Sequence, residues 1–207
     1  MSTNNSGAGV SLPVQERAWN TRVRILDAAL SCLVELGYAA TTVAQIQARA
    51  GVSRGSVLHQ FPSRDALLVA AVQHVAAKAT TEIAAQPEFA PGPDAIDSGV
   101  ERLWATMQGP LFAATTELWV AARTSPELQA VLEPQERQLG RAIREPIARM
   151  FGTEISSSPH FGELRTLLVS SMRGISLTYA FAPRDPSTEP HLEIWKRLAR
   201  RYVQSGG

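Results

Sequence analysis

Apolar residues in this 207-residue chain recur three and four positions apart almost throughout, and nowhere alternate over a useful length. That periodicity leaves packed helices as the building material and gives a sheet nothing to work with, so the expected fold class is all-α. Between Thr21 and Leu36, Leu26, Ala29, Leu30 and Leu33 share one helical face, and Gly37 is placed to close the helix. Thr42-x-x-Gln45 has the form of a capping box opening a short helix, Val43 to Ala50, which Gly51 ends. Ser53 can cap the next helix, which stops at Phe61-Pro62. Ser63 can cap a fourth with Asp65 in its first turn, where a negative charge suits the helix dipole. Leu68, Val72, Val75 and Ala79 lie on one face of that fourth helix, which spans residues 63–85.

"QPEFAPGP", Gln86 to Pro93, holds three prolines and a glycine, a composition that no helix interior tolerates. It divides the chain into residues 17–64, linked by the 63–85 helix, and a second domain over 86–207. There the helices are expected from Asp94 to Met107, Leu111 to Arg123 and Pro126 to Phe151, the last split or kinked by Pro134 and Pro146. "TEISSSP" reads as a loop, and two more helices follow, about His160 to Phe181 and Glu189 to Gln204. Residues 1–16 read as a disordered polar tail without the basic and apolar regions of a signal peptide. No apolar run is long enough to cross a bilayer, so the expected compartment is the cytoplasm, with no membrane partner. The single cysteine, Cys32, excludes an internal disulfide and sits where a core thiol would.

Charge is unevenly placed. From Arg17 to Arg64 there are six arginines (17, 22, 24, 49, 54 and 64) against Asp27 and Glu35. This segment therefore carries +4, and the rest of a chain of net charge +1 carries −3. Clustered cations gain most by releasing counterions from a polyanion. Two short helices joined at Gly51, with Ile46, Val52, Val57 and Phe61 to lock them, have the spacing of a helix-turn-helix. The second helix then carries Arg54, Ser56 and His59 away from its Val57–Phe61 side. Arginine can read guanine in a bidentate contact, serine can donate or accept, Gly55 lets the backbone approach a sugar-phosphate chain, and Thr42 stands at a helix start that suits phosphate.

The stretch "TRVRILDAALSCLVELGYAATTVAQIQARAGVSRGSVLHQFPSRDALL" resembles the N-terminal DNA-binding domain of TetR-family transcriptional regulators over about residues 17 to 70. The resemblance implies three helices around a helix-turn-helix, a homodimer, and a larger C-terminal helical domain that binds a small effector and controls the release of an operator. Carried onto this chain, it adds Leu58 and Gln60, which stand where the family commonly has tyrosine and histidine. It also adds Arg64, in place of a usual lysine. Arg17, Arg22 and Arg24 can add backbone or minor-groove contacts. The expected DNA-contacting set is thus Thr42, Ser53, Arg54, Gly55, Ser56, Leu58, His59, Gln60, Arg64 and Arg22.

In the second domain, Trp104, Met107, Phe112 and Trp119 gather on two consecutive helices, with Thr116 and Arg123 available to orient a ligand. Aromatic residues at helical spacing serve equally as core, and it is the resemblance that places an effector among them. Leu164, Leu168, Ser171, Ile175, Trp195, Leu198 and Tyr202 on the last two helices are expected to pair with a twin subunit in a four-helix bundle. Enzyme readings find no footing. None of the four histidines lies three or four residues from another, there is no Glu-x-x-His pair, and no glycine loop cradles phosphate. No cofactor and no metal is expected. The sequence therefore reads as a ligand-responsive regulator, most simply a repressor, that binds a pseudo-palindromic double-stranded DNA operator as a homodimer and is released by a small, largely apolar effector. An activator with the same head, and a helical ligand-binding protein without DNA binding, are the alternatives.

Overall fold

The computed structural model describes residues 14–85, 92 and 94–204, and the described residues are helical with no strand. Helix α1 (Val14–Ala40) begins inside the stretch expected as a tail; residues 1–13 lie outside the described part. Gly37, at φ 75° and ψ 170°, interrupts α1 where a stop was expected, and one further turn follows before Thr41. Helices α2 (Val43–Ala50), α3 (Arg54–Gln60) and α4 (Arg64–Ala85) complete the N-terminal unit, within a residue of their expected bounds. The expected break at 86–93 lies almost wholly outside the described residues.

Beyond it come α5 (Ala95–Thr106), α6 (Pro110–Ala122) and α7 (Pro126–Ala142). Helix α7 runs on through Pro134, so the expected break there does not occur. The chain divides instead at Ile143, and α8 (Arg144–Phe151) takes Pro146 into its first turn, where a missing N–H leaves no hydrogen bond unmade. "TEIS" is not a loop but one helical turn, α9 (Thr153–Ser156). Helices α10 (Phe161–Tyr179) and α11 (His191–Gln204) close the chain, with a 3₁₀ turn at Pro186–Thr188 between them. No described helix is long and apolar enough to cross a membrane.

Two apolar cores form, and the first does not stop at the proline-rich seam. Ile25, Leu33, Ile46, Val57, Phe61 and Leu68 pack around the helix-turn-helix, and Ala114, Leu118 and Leu128 from α6 and α7 join them. The second core lies among α5, α8, α10 and α11, with Leu103, Trp104, Phe151, Leu168 and Trp195 at its centre. Helix α6 is therefore a strut, rooted in the N-terminal unit along one side and facing the second domain along the other. Cys32 is buried in the first core, and burial pushes its thiol above the ordinary range, as expected of a packing residue.

One contact in the second core shows how tightly it is set. A Cβ at Gly99 of α5 would fall 2.5 Å from Cδ1 of Phe151, whose ring is already held edge-on against Phe161 at 5.4 Å between centroids. Gly99→Ala is expected to destabilise by about 1–3 kcal/mol through overpacking, a loss of roughly 2–4 °C in Tm per kcal/mol for a chain of this size. Thermal unfolding followed by circular dichroism measures it, and an unchanged Tm would mean that α5 and α8 can separate freely.

Candidate functional site

The reading head is assembled by local hydrogen bonds that the sequence announces. Thr42 Oγ1 accepts from Gln45 N at 3.3 Å while Gln45 Oε1 accepts from Thr42 N at 2.7 Å, closing the capping box of α2. Gly51 adopts the left-handed conformation (φ 63°, ψ 42°) and, with Val52, caps the end of α2 on the Ala48 and Gln47 carbonyls. Ser53 Oγ accepts from Ser56 N at 3.2 Å, and the Phe61 amide closes α3 on the Val57 carbonyl. Val57 and Phe61 are buried, which fixes the roll of α3 and leaves Ser53, Arg54, Gly55, Leu58 and His59 exposed, with Ser56 and Gln60 half-buried. A Cβ on Gly55 would meet only Ser53 Oγ, at 3.9 Å, so the space outside this turn is clear. Seven residues are too few to hold a helix alone; the buried pair and the two caps do it.

The six arginines of this segment divide sharply by what they touch. Arg24 Nη2 donates to the carbonyls of Ala50 (3.0 Å) and Gly51 (3.3 Å), clamping the turn. Arg49 pairs with Glu35, and Arg22 lies over the Phe61 ring at 4.4 Å. Arg64 does not stand free as a contact residue. Its guanidinium covers the Tyr38 ring at 4.2 Å, reaches the Thr41 carbonyl at 3.2 Å and pairs with Asp65, so it braces the start of α2 from beneath. Among the described residues Arg54 makes no side-chain hydrogen bond, ion pair or ring contact. It projects from the first turn of α3.

Beside the apolar packing of Ala114 and Leu118, one carboxylate of α6 holds the N-terminal unit. Glu117 Oε2 accepts from the Tyr38 amide at 2.9 Å, directly after Gly37, where a Cβ would come within 3.0 Å of the same oxygen. Glycine is required there twice, by its positive φ and by that close approach. The Tyr38 hydroxyl in turn donates to Asp65 at 2.8 Å, beside Arg64.

On the opposite side of α6, a cavity of about 140 Å³ lies among α4, α5, α6, α7, α8 and α10, with walls that include Leu103, Met107, Phe112, Trp119, Ile143 and Met150. Met107, Phe112 and Trp119 from the expected ligand set meet here, Phe112 edge-on to Trp119 at 6.2 Å. Trp104 does not join them: its ring is buried against Trp195 and Tyr179, and its indole N–H donates to the Pro186 carbonyl. It serves the second core because that N–H needs a partner and finds one in the α10–α11 connection. That connection is itself pinned by the buried Glu189. Burial alone would raise the Glu189 carboxyl, but the Tyr179 hydroxyl at 2.6 Å and His191 Nδ1 at 2.5 Å outweigh it and hold it at about 2.

Thr116 turns away from this cavity to the far side of Phe112. It lines a separate, more polar groove of about 320 Å³ with Gln108, Glu117 and Ser176, and its hydroxyl has no partner there. Arg123 is exposed beyond the end of α6 and lines neither space. The smaller cavity is the better candidate for an apolar ligand, because its walls are almost wholly hydrocarbon while the groove runs along the exposed Leu177. Sequence reasoning passed over Arg173 of α10, which reaches the cavity wall and lies over Trp119 at 4.9 Å.

Most of the expected dimer residues are engaged within their own chain. Leu164, Leu168 and Trp195 are buried in the subunit's own core, and Ser171 Oγ accepts from the Trp195 indole at 2.9 Å. Ile175 and Tyr202 pack against the same core, and Leu198 is half-buried. Helix α11 covers that stripe of α10 from within the subunit. The face left outward is offset from it: Leu167, Ser170, Gly174 and Leu177, continued by Phe181 at 80% exposure and by Ile194 of α11.

Comparison with known proteins agrees with this arrangement. Residues 25–71 match the family model described as bacterial regulatory proteins, tetR family. The HTH-type transcriptional regulator BetI of Cronobacter sakazakii is 30% identical over 139 residues, 65% of this chain and 67% of that one. Among solved structures, a TetR transcription regulator from Haloarcula marismortui superposes with a TM-score of 0.67 at 18% identity, over 91% of this chain and 98% of its own. The multidrug binding protein EbrR, solved in complex with ethidium, superposes with a TM-score of 0.61 at 23% identity, over 88% of this chain and 98% of its own.

Proposed function

The chain belongs to the TetR family of transcriptional regulators, and from that premise we propose that it is a homodimeric repressor released from its operator by a small, largely apolar effector. The observation that carries the DNA half of this reading is the state of Arg54. Every other arginine of the basic segment from Arg22 onward is engaged with its own chain, whereas Arg54 projects unpartnered from the first turn of a helix whose roll is fixed by Val57 and Phe61. An exposed, unpartnered cation in that place suits guanine O6 and N7. Ser53, Gly55, Ser56, Leu58, His59 and Gln60 complete the surface that enters the major groove, and Thr42 meets a backbone phosphate. Arg22 sits beside Phe61 at the far end of α3, within reach of the flanking backbone, while Arg64 acts by bracing α2.

Arg54→Ala is expected to weaken binding by about 1–3 kcal/mol per half-site and to relax preference at a single base position. Selection of bound fragments from the host's genomic DNA supplies the target, and titration against its single-base variants reads the preference. Equal weakening on every sequence would make Arg54 a phosphate clamp. A protein that enriches no fragment would end the DNA reading.

The effector half rests on the cavity and on α6. Phe112 and Trp119 place the cavity on one side of that helix, and Glu117 holds the Tyr38 amide on the other. A ligand that shifts α6 on filling the cavity moves the point at which the reading head is anchored. Two heads joined through the outward face of α10 and α11 then change spacing, and a pseudo-palindrome is no longer matched. The known binding of ethidium by the structurally similar EbrR is consistent with a ligand-responsive role. The chain acts as a binding protein rather than an enzyme in this reading.

A further inference from the structure

The cavity behind α6 is hydrocarbon on every side but one. Three threonines reach its wall, and each has already committed its hydroxyl proton to a carbonyl of its own helix: Thr80 to Ala76 (2.8 Å), Thr106 to Leu103 (2.7 Å) and Thr115 to Leu111 (2.7 Å). The Trp119 indole N–H is engaged by Glu136. Among the described residues no carboxylate lines the cavity. What remains is Arg173, whose Nε is buried without a partner and whose side chain makes no hydrogen bond or ion pair among the described residues. Its guanidinium rests on the Trp119 face, which orients it, but a ring face does not satisfy an N–H donor. An N–H donor buried without an acceptor is costly, and one on a cavity wall marks a place that a ligand acceptor would complete.

Resting on the effector-release reading above, we infer that the effector is a small apolar carboxylate, its hydrocarbon body about the size of one aromatic ring and its carboxylate held by Arg173. The size follows from the cavity, since about 140 Å³ of this kind of space accommodates a ring like benzene. The charge follows from the donor inventory. Among the described residues the only uncommitted side-chain donor on the wall is a guanidinium, whose fork matches a carboxylate in a bidentate pair. A cationic ligand would meet Arg173 with no acid on the wall to receive it. Glu136 lies behind the wall: burial raises its carboxyl above the ordinary range, against the opposing pull of Trp119 and Arg173. Burial likewise lowers the Arg173 guanidinium, with Glu136 opposing.

The test uses the full chain and three probes of one shape: phenylacetate, phenylacetamide and 2-phenylethylammonium, titrated calorimetrically and by thermal shift. Phenylacetate is expected to bind about tenfold to a hundredfold tighter than phenylacetamide, the range of a charge-assisted over a neutral hydrogen bond at a desolvated site, and the ammonium not at all. Arg173→Met should abolish the preference for the anion while keeping the amide's affinity. Arg173→Lys should restore part of it, which guards against a merely unfolded variant. An amide that binds as well as the acid, a preference that survives Arg173→Met, or three silent probes would overturn the inference. Release of a selected genomic fragment is read separately by fluorescence anisotropy. Arg173-dependent binding of phenylacetate that leaves DNA affinity unchanged would uphold the pocket chemistry and sink the release reading. Release by uncharged compounds with no response to acids would do the reverse.

Discussion

DNA affinity is expected to fall roughly 10²-fold between 50 and 200 mM salt, just below the range for proteins that neutralise 6–10 phosphates. The basic segment carries +4, but its charges are not equally available. Arg49 is neutralised by Glu35 and Arg64 by Asp65, while Arg24 is turned inward onto the Ala50 and Gly51 carbonyls. With Arg54 given to a base, Arg17 and Arg22 remain for phosphates, two cations per subunit and four per dimer. Four neutralised phosphates give a slope of log K on log salt of about −3.6, and a fourfold rise in salt then costs about two decades. The measurement is a titration of a selected fragment at several salt concentrations. A flat response would mean that α3 does not meet the phosphate backbone. If Arg54 reads a base, Arg54→Ala should lower affinity and leave the slope nearly unchanged. Loss of Arg22 should flatten the slope by about one per phosphate contact removed.

The N-terminal unit was legible because its determinants are local. A capping box at Thr42 and Gln45, a left-handed glycine at 51 and a serine cap at 53 each act within four residues, so spacing alone announces them. What spacing does not announce is whether an exposed-looking charge is already engaged. Arg64 and Arg24 read as DNA contacts because their partners, the carbonyls of Thr41 and Ala50, lie 23 and 26 residues away. The same limit governs the second domain. Helix α10 carries apolar residues on two stripes, Leu164–Leu168–Met172 and Leu167–Ser170–Leu177, and periodicity cannot say which one α11 covers. By spacing alone the richer stripe reads as the interface; in the fold it is the core of the chain. Trp104 misled for a related reason, since an indole buries wherever its N–H finds an acceptor, and Pro186 lies 82 residues downstream. Arg173 left only a faint signal, a cation spaced four residues from half-buried Val169 and three from buried Ser176.

Replacing both Leu177 and Phe181 by aspartate is expected to leave each subunit folded while lowering operator affinity by about 10²–10⁴-fold, the advantage that two linked reading heads have over one. Both side chains face outward in the single chain, Leu177 at 44% and Phe181 at 80% exposure, so folding the subunit does not depend on them. Exposed substitutions of this kind ordinarily stay within about 0.5 kcal/mol of the starting stability. In a two-fold interface each substitution occurs twice and meets its own copy or a near neighbour, so four buried carboxylates would oppose association. Sedimentation should then give a particle of 22.4 kDa in place of one twice that mass. Leu168→Asp is the contrasting variant. Leu168 is fully buried beneath α11, so an unpaired carboxylate there should unfold the subunit rather than merely separate it from its twin. If the Leu177 and Phe181 variant remained dimeric and held the fragment as before, the two-fold axis would have to pass through another face and the spacing of the heads would follow that face. If Leu168→Asp dissociated cleanly into folded monomers, the offset between the two stripes of α10 would be reversed.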